Sequence, residues 1–174
     1  AEIKKSSGEE QLALRKEGNI YFIILNSKMN MMNFDFIEKF HEYLDIIEKT
    51  EGPCMLVTIN RGNRIFCSGF NLMTMVERKH NFTLLPLTGL RLFVRILNLN
   101  VPTLAIANGH AVAGGIFLGL CHDKFVMCDN PKHKYFLSEA LKNMNMATLY
   151  AVLLKELLPD RAARELLSGK AITA

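Results

Sequence analysis

Ala107-Asn108-Gly109-His110-Ala111-Val112-Ala113-Gly114-Gly115-Ile116-Phe117-Leu118-Gly119 is the stretch whose reading decides the fold. Just before and into it, Thr103-Leu-Ala-Ile-Ala107 is a short apolar run that reads as a buried strand. A turn of small residues follows, and an apolar helix is predicted to begin near Gly114. The first residues of a helix have unpaired backbone N–H groups and a partial positive charge. Glycines let another group approach that backbone closely. Such a turn suits a carbonyl oxygen that gains negative charge during a reaction.

Outward from this turn, strands and helices alternate. Gln11–Lys16 and Asn19–Leu25 read as a hairpin about Glu17-Gly18-Asn19. Asn33 is placed to cap a helix in which Ile37, Phe40, Leu44 and Ile47 share one face. Cys54–Ile59 is a continuous apolar run, as in a strand covered on both faces. Ile65-Phe66 is a further short strand, followed by Cys67-Ser68-Gly69-Phe70-Asn71-Leu72 and a helix to Lys79. His80–Thr83 reads as loop. Leu84–Leu99 reads as a helix with Leu87, Leu90, Val94 and Leu97 on one face and Pro86 in its first turn. After the central helix, Lys124–Cys128 is a strand, Thr148–Leu158 a helix, and Asp160 caps Arg161–Leu167 ahead of a stop at Gly169. This order predicts an α/β fold of repeated βαβ units.

The bulk properties fit one domain. The 174 residues are 49% hydrophobic and 22% charged, with a formal net charge of +4. That balance excludes a disordered chain, and no apolar run reaches the roughly 20 residues that span a bilayer. The scattered positive charge reads as solvated surface. Attraction to a phosphorylated ligand is the functional alternative, and nucleic acid is not favoured. Cys54, Cys67, Cys121 and Cys128 form no metal-ligand spacing, and no secretory signal precedes them, so reduced thiols are expected.

Phe66-Cys-Ser-Gly-Phe-Asn-Leu72, then Val101-Pro-Thr, Asn108-Gly-His-Ala and Gly114-Gly115, then Cys121-His-Asp123 and Leu137-Ser-Glu139, together resemble the crotonase (enoyl-CoA hydratase/isomerase) superfamily. The resemblance runs from about Gln11 to Ala174 and is nearest to the peroxisomal type of Δ3,Δ2-enoyl-CoA isomerase. It implies a crotonase-like ββα spiral with two roughly perpendicular sheets surrounded by helices. It also implies a single core domain over residues 1–174, lacking the usual C-terminal helices, and a homotrimer for the full-length protein. A coenzyme A thioester is the implied substrate, with no metal or redox cofactor, and the implied location is the peroxisome or mitochondrial matrix.

Carried onto this sequence, the resemblance makes the backbone N–H groups of Phe70 and Gly114 the holders of the thioester oxygen. Ser68, Gly69, Phe70, Asn71, Leu72 and Gly114 then bind the coenzyme A thioester. The side chain at 70 matters less than its backbone. Glu139 matches the family's second catalytic glutamate. Phe117 stands where hydratases carry the first, and it lines the acyl pocket. One base suffices to move a double bond, whereas the family hydrates with two carboxylates, so the implied reaction is 3-enoyl-CoA to trans-2-enoyl-CoA. Other crotonase reactions on acyl-CoA, hydration or thioester hydrolysis, and a non-catalytic scaffold on the same fold are the alternatives. Ala113 stands where many hydratases have glycine, a change expected to matter little. His110 and the pair His122-Asp123 read as structural. Asn71 replaces a common Asp. Met29, Met31, Met32, Met73, Met75, Met144 and Met146 read first as core filler, with a malleable acyl pocket as the alternative. Lys28, Arg61 and Arg64 read as solvated surface.

Overall fold

The structure is a computed structural model, and it describes residues 10–62, 64–142, 144 and 146–172. The chain opens with the hairpin of β1 (Leu12–Glu17) and β2 (Ile20–Leu25), turned through Gly18 at φ +57°. β2 alternates as a strand with one covered face should, with Tyr21, Ile23 and Leu25 buried. α1 (Phe34–Glu48) follows, and the Asn33 side chain accepts from the Phe36 N–H at 2.8 Å. Ile37, Phe40, Leu44 and Ile47 are buried, as their spacing predicted.

β3 (Met55–Asn60) lies between parallel neighbours, β2 on one side and β5 (Thr103–Ala107) on the other. β7 (Lys124–Met127) completes a five-stranded sheet of order β1-β2-β3-β5-β7. The central place of β3 is why its sequence is apolar without alternation.

Each of the three later strands of this sheet is followed by a short strand of a second sheet. β4 (Ile65–Cys67), β6 (His110–Val112) and β8 (Tyr135–Phe136) run parallel in the order β4-β6-β8. Helices come next: α2 (Leu72–Glu77) and α3 (Asn81–Leu97) after β4, α4 (Gly114–Leu120) after β6, and α5 (Thr148–Leu157) and α6 (Asp160–Leu167) after β8. The repeat is the ββα unit that the family resemblance implied, not the βαβ unit read from the alternation, because the short strands β4, β6 and β8 intervene before the helices.

Three expectations are corrected. α3 begins at Asn81, so His80–Thr83 is not a loop. The Asn81 side chain donates to the Thr74 carbonyl at 2.8 Å, which starts the helix early and ties it to α2. Pro86 therefore sits inside α3 rather than in its first turn, where it removes one helical hydrogen bond to the Phe82 carbonyl. Second, the face of α3 that meets the core carries Leu85, Gly89, Leu92, Phe93 and Ile96, while Leu87, Val94 and Leu97 are at least 40% exposed. This helix is apolar nearly all round, so its spacing offers two stripes, and packing selects the one with a glycine. Third, Pro159, not Asp160, precedes α6, and Asp160 is its first residue without a side-chain cap. Its carboxylate still sits at the favourable end of the helix dipole. Gly169, at φ +81°, ends α6 as expected and donates to the Leu166 carbonyl at 2.9 Å.

Candidate active site

The two glycine turns meet. β4 delivers the loop 67–72, which is stitched to residues 29–32. The Ser68 N–H and hydroxyl both donate to the Met29 carbonyl, the Met32 N–H donates to the Gly69 carbonyl at 2.9 Å, and the Asn71 N–H donates to the Met32 carbonyl at 2.8 Å. The Gly69 N–H lies 3.5 Å from the Cys67 sulfur. Around Phe70 the amides are thus committed, while the Phe70 N–H donates to no described residue. Asn71 caps α2, its side chain accepting from the Met73 and Thr74 N–H groups. That is the use an Asp would have there.

On the other side, β6 ends in Ala113, whose φ of +52° and ψ of −124° lie where L-residues rarely go. Its N–H donates to the Phe136 carbonyl and its carbonyl accepts from Ile116, which turns the chain into α4. Gly114 opens that helix, and its N–H donates to no described residue. The absence of side chains lets these turns touch. A Cβ on Gly69, at φ +88°, would lie 2.9 Å from the Gly114 nitrogen, and one on Gly115 would lie 2.1 Å from the Cys67 carbonyl oxygen.

Phe70 and Gly114 both line a cavity of about 890 Å³, which also takes in Ser68, Asn71, Leu72, Phe117 and Glu139. Gly69 is buried behind the wall. Glu139 stands just after β8, ahead of a single helical turn at Ala140–Lys142. Its Oε2 is buried and accepts no hydrogen bond. Desolvation holds its pKa above the ordinary carboxylate value, partly offset by its own backbone N–H and by Lys142. Among the described residues it is the one carboxylate on the cavity wall. Phe117 is buried at 1% exposure, parallel to Phe93 at 6.3 Å and edge-on to Tyr150 at 4.9 Å.

Met29, Met31, Met73, Met75, Met144 and Met146 line the cavity, while Met32 and Met75 are buried in the core and Met146 packs against it, so both readings of the methionines hold in part. His122 and Asp123 lie elsewhere. His122 Nε2 is 2.8 Å from the Thr58 hydroxyl, its Nδ1 is 2.8 Å from the Leu118 carbonyl, and burial lowers its pKa to about 4. Asp123 accepts from the Thr103 N–H and hydroxyl. Both are structural, as predicted. His110 sits at the cavity edge with its Nδ1 accepting from the Lys134 N–H. Lys28, Arg61 and Arg64 are absent from the wall, whose cations are Lys134 and Lys142. All four cysteines are free, and burial pushes the Cys67 and Cys121 thiols up to about 12. Tyr150 and Gly89 had been passed over. In the sequence Tyr150 shows only as one of two hydroxyl residues, with Thr148, in a largely apolar helix.

Residues 15–174 match the family described as enoyl-CoA hydratase/isomerase. The chain belongs to that family. It is 29% identical over 91% of its length to a Thermus thermophilus protein named as an enoyl-CoA hydratase, covering 64% of that protein. It is 27% identical to enoyl-CoA delta isomerase 2, peroxisomal, of Arabidopsis thaliana, over 91% of this chain and 70% of the relative. Among solved structures, an enoyl-CoA hydratase/isomerase family protein from Pseudomonas syringae superposes with a TM-score of 0.87 at 24% identity, over 94% of this chain and 70% of that one. The fold is therefore the crotonase fold, and the chain spans about two thirds of the length of these relatives. No described helix is long and apolar enough to cross a membrane. No cluster of His, Cys, Asp or Glu suited to a metal occurs among the described residues.

Proposed function

We propose that this protein moves the double bond of a 3-enoyl-CoA to the trans-2 position. What carries the reading is that Phe70 and Gly114, whose amides donate to no described residue, line one cavity with a single half-buried carboxylate, that of Glu139, whose Oε2 accepts no hydrogen bond. The thioester oxygen of the substrate accepts from the Phe70 and Gly114 N–H groups. The Glu139 carboxylate takes a proton from C2, and the electron pair of that C–H bond delocalises onto the thioester oxygen. The amides stabilise this charge in place, without reorganising. Glu139, now protonated, returns a proton to C4, and the double bond settles between C2 and C3. Desolvation raises the pKa of Glu139, which brings its acid and base forms nearer in energy than in an exposed carboxylate and suits a group that must both take and give.

Phe117 holds apolar surface where a second carboxylate would stand, so hydration lacks one of the two carboxylates it uses in the family. The methionines of the wall supply deformable apolar surface for an acyl chain. The Arabidopsis relative is named as an isomerase and supports this reading, while the Thermus relative is named as a hydratase. Product analysis decides between them. Incubation with a 3-enoyl-CoA is expected to give trans-2-enoyl-CoA, and Glu139→Gln is expected to lower kcat by ~10²–10⁴. Accumulation of 3-hydroxyacyl-CoA or free coenzyme A, or undiminished turnover by Glu139→Gln, would overturn it. Homotrimeric assembly and a peroxisomal or mitochondrial location belong to the same reading.

A further inference from the structure

Gly89 lies in the interior of α3, where no turn requires a glycine and alanine would be the better helix former. What it does offer is a bare Cα. A Cβ at Gly89 would lie 2.4 Å from both Cε1 and Cζ of Phe70, and 3.5 Å from the Tyr150 hydroxyl. The opposite edge of the same ring rests on Gly114, where a Cβ would lie 3.2 and 3.3 Å from Cε2 and Cδ2. The Phe70 ring thus spans the space between α3 and the first residue of α4, with a glycine at either end. Phe93 at 6.4 Å and the edge of Tyr150 at 6.2 Å close its sides. The Tyr150 hydroxyl donates to the Pro86 carbonyl at 2.6 Å, one turn before Gly89, and so holds α5 against the same stretch of α3.

We propose that Gly89 is a positioning residue for the oxyanion site: with Gly114 it seats the Phe70 ring, and that seat fixes the Phe70 amide relative to the Gly114 amide. The proposal rests on the reading of those two amides as holders of a thioester oxygen. It also qualifies the expectation that the side chain at 70 matters less than its backbone, since here the ring sets where that backbone lies. Ordinary contact begins at 3.4 Å, so a methyl group at 89 would drive the ring back by at least 1 Å. The displacement is relieved towards Gly114, through the backbone of Phe70 or into the cavity, and each of the first two shifts the Phe70 amide relative to the Gly114 amide. A misplacement of about 1 Å at such a site costs ~10²-fold in rate.

The test compares wild type, Gly89→Ala, Phe70→Leu and the double variant. It reads three quantities: kcat on a 3-enoyl-CoA, the melting temperature, and the infrared carbonyl stretch of bound octanoyl-CoA labelled with ¹³C at the thioester. Wild type is expected to lower that stretch relative to free octanoyl-CoA. Gly89→Ala is expected to return it towards the free value and to reduce kcat by ~10–10², with little change in melting temperature. Adding Phe70→Leu removes the ring atoms with which the new methyl collides, so the double variant is expected within about threefold of Phe70→Leu alone, as the shared cause makes the two changes non-additive. A Gly89→Ala protein with the wild-type stretch, or a loss that Phe70→Leu does not recover, overturns the proposal. A lost kcat with an unmoved stretch means that the ring blocks the cavity rather than shifting the amide, and overturns it also. If Gly89→Ala does not fold, the double variant carries the test, and it must fold and lower the stretch as Phe70→Leu does. A wild type that lowers the stretch but forms no trans-2 product overturns the isomerase reading and leaves the seat to be judged by the stretch alone. A wild type that does not lower the stretch overturns both.

Discussion

Gly69→Ala tests the geometry of the site most directly. Gly69 holds φ +88°, and a Cβ there would lie 2.9 Å from the Gly114 nitrogen, 2.9 Å from the Ala113 Cβ and 3.1 Å from the Val112 oxygen. The left-handed backbone costs an alanine about 1–2 kcal/mol, and crowding a packed turn costs a further ~1–3 kcal/mol. The sum lowers the melting temperature by roughly 10 °C, taking ~2–4 °C per kcal/mol for a chain of this size. The catalytic effect is separate. The new methyl pushes against the Gly114 amide, and the loss of one such donor costs ~10²–10³ in kcat with KM little changed. Gly18→Ala is the control: φ is +57° and nothing lies within 4 Å, so it carries the backbone cost alone. The assay is conjugation of a 3-enoyl-CoA followed in the ultraviolet, with thermal unfolding alongside. If Gly69→Ala folds and keeps its kcat within threefold of Gly18→Ala, the two amides do not act together on one oxygen, and the reasoning fails.

Ala113→Gly is expected to stabilise, against the usual sign. Relief of the φ +52°, ψ −124° conformation is worth ~1–3 kcal/mol, and the freer unfolded chain returns ~0.4–1 kcal/mol of it, so the melting temperature should rise by a few degrees; a fall would show the turn to be unstrained. Glu139 has a raised pKa in the folded protein, so the native state binds more protons between the unfolded and folded values, and stability falls as pH rises through that window. Glu139→Gln should therefore melt higher than wild type at neutral pH, with the difference vanishing in acid, and the acid limb of kcat/KM should lie above the ordinary carboxylate range. His122 is lowered from 6.5 to about 4, so its neutral form stabilises the fold above 6.5 and this is lost as pH falls towards 4. Denaturant titrations should show a loss of at most about 3 kcal/mol over that span, largely absent in His122→Gln.

The large sheet was legible because β2, β3 and β5 are each apolar, β-branched-rich runs of five or six residues, long enough to read as strands. β6 and β8 are three and two residues long and carry no periodicity, so the second sheet had to come from the resemblance rather than from the pattern. The start of α3 was missed because the Asn81 bond to Thr74 that sets it is tertiary. Its buried face was missed because an apolar residue stands on nearly every side, and only the partner ring reveals why a glycine faces inward. The site residues were readable as two glycine turns and one glutamate. That they share one cavity depended on where the loop at 29–32 docks, which no local signal states.

Main-chain amides have one property that side-chain catalysts lack: only a codon change to proline can delete them. Every other substitution reaches the Phe70 and Gly114 donors indirectly, by adding atoms where the fold has left none or by removing what seats them. Genetic fragility in such a protein should be concentrated at its smallest residues, Gly69, Gly89, Gly114 and Gly115, rather than at the conspicuous side chains around them.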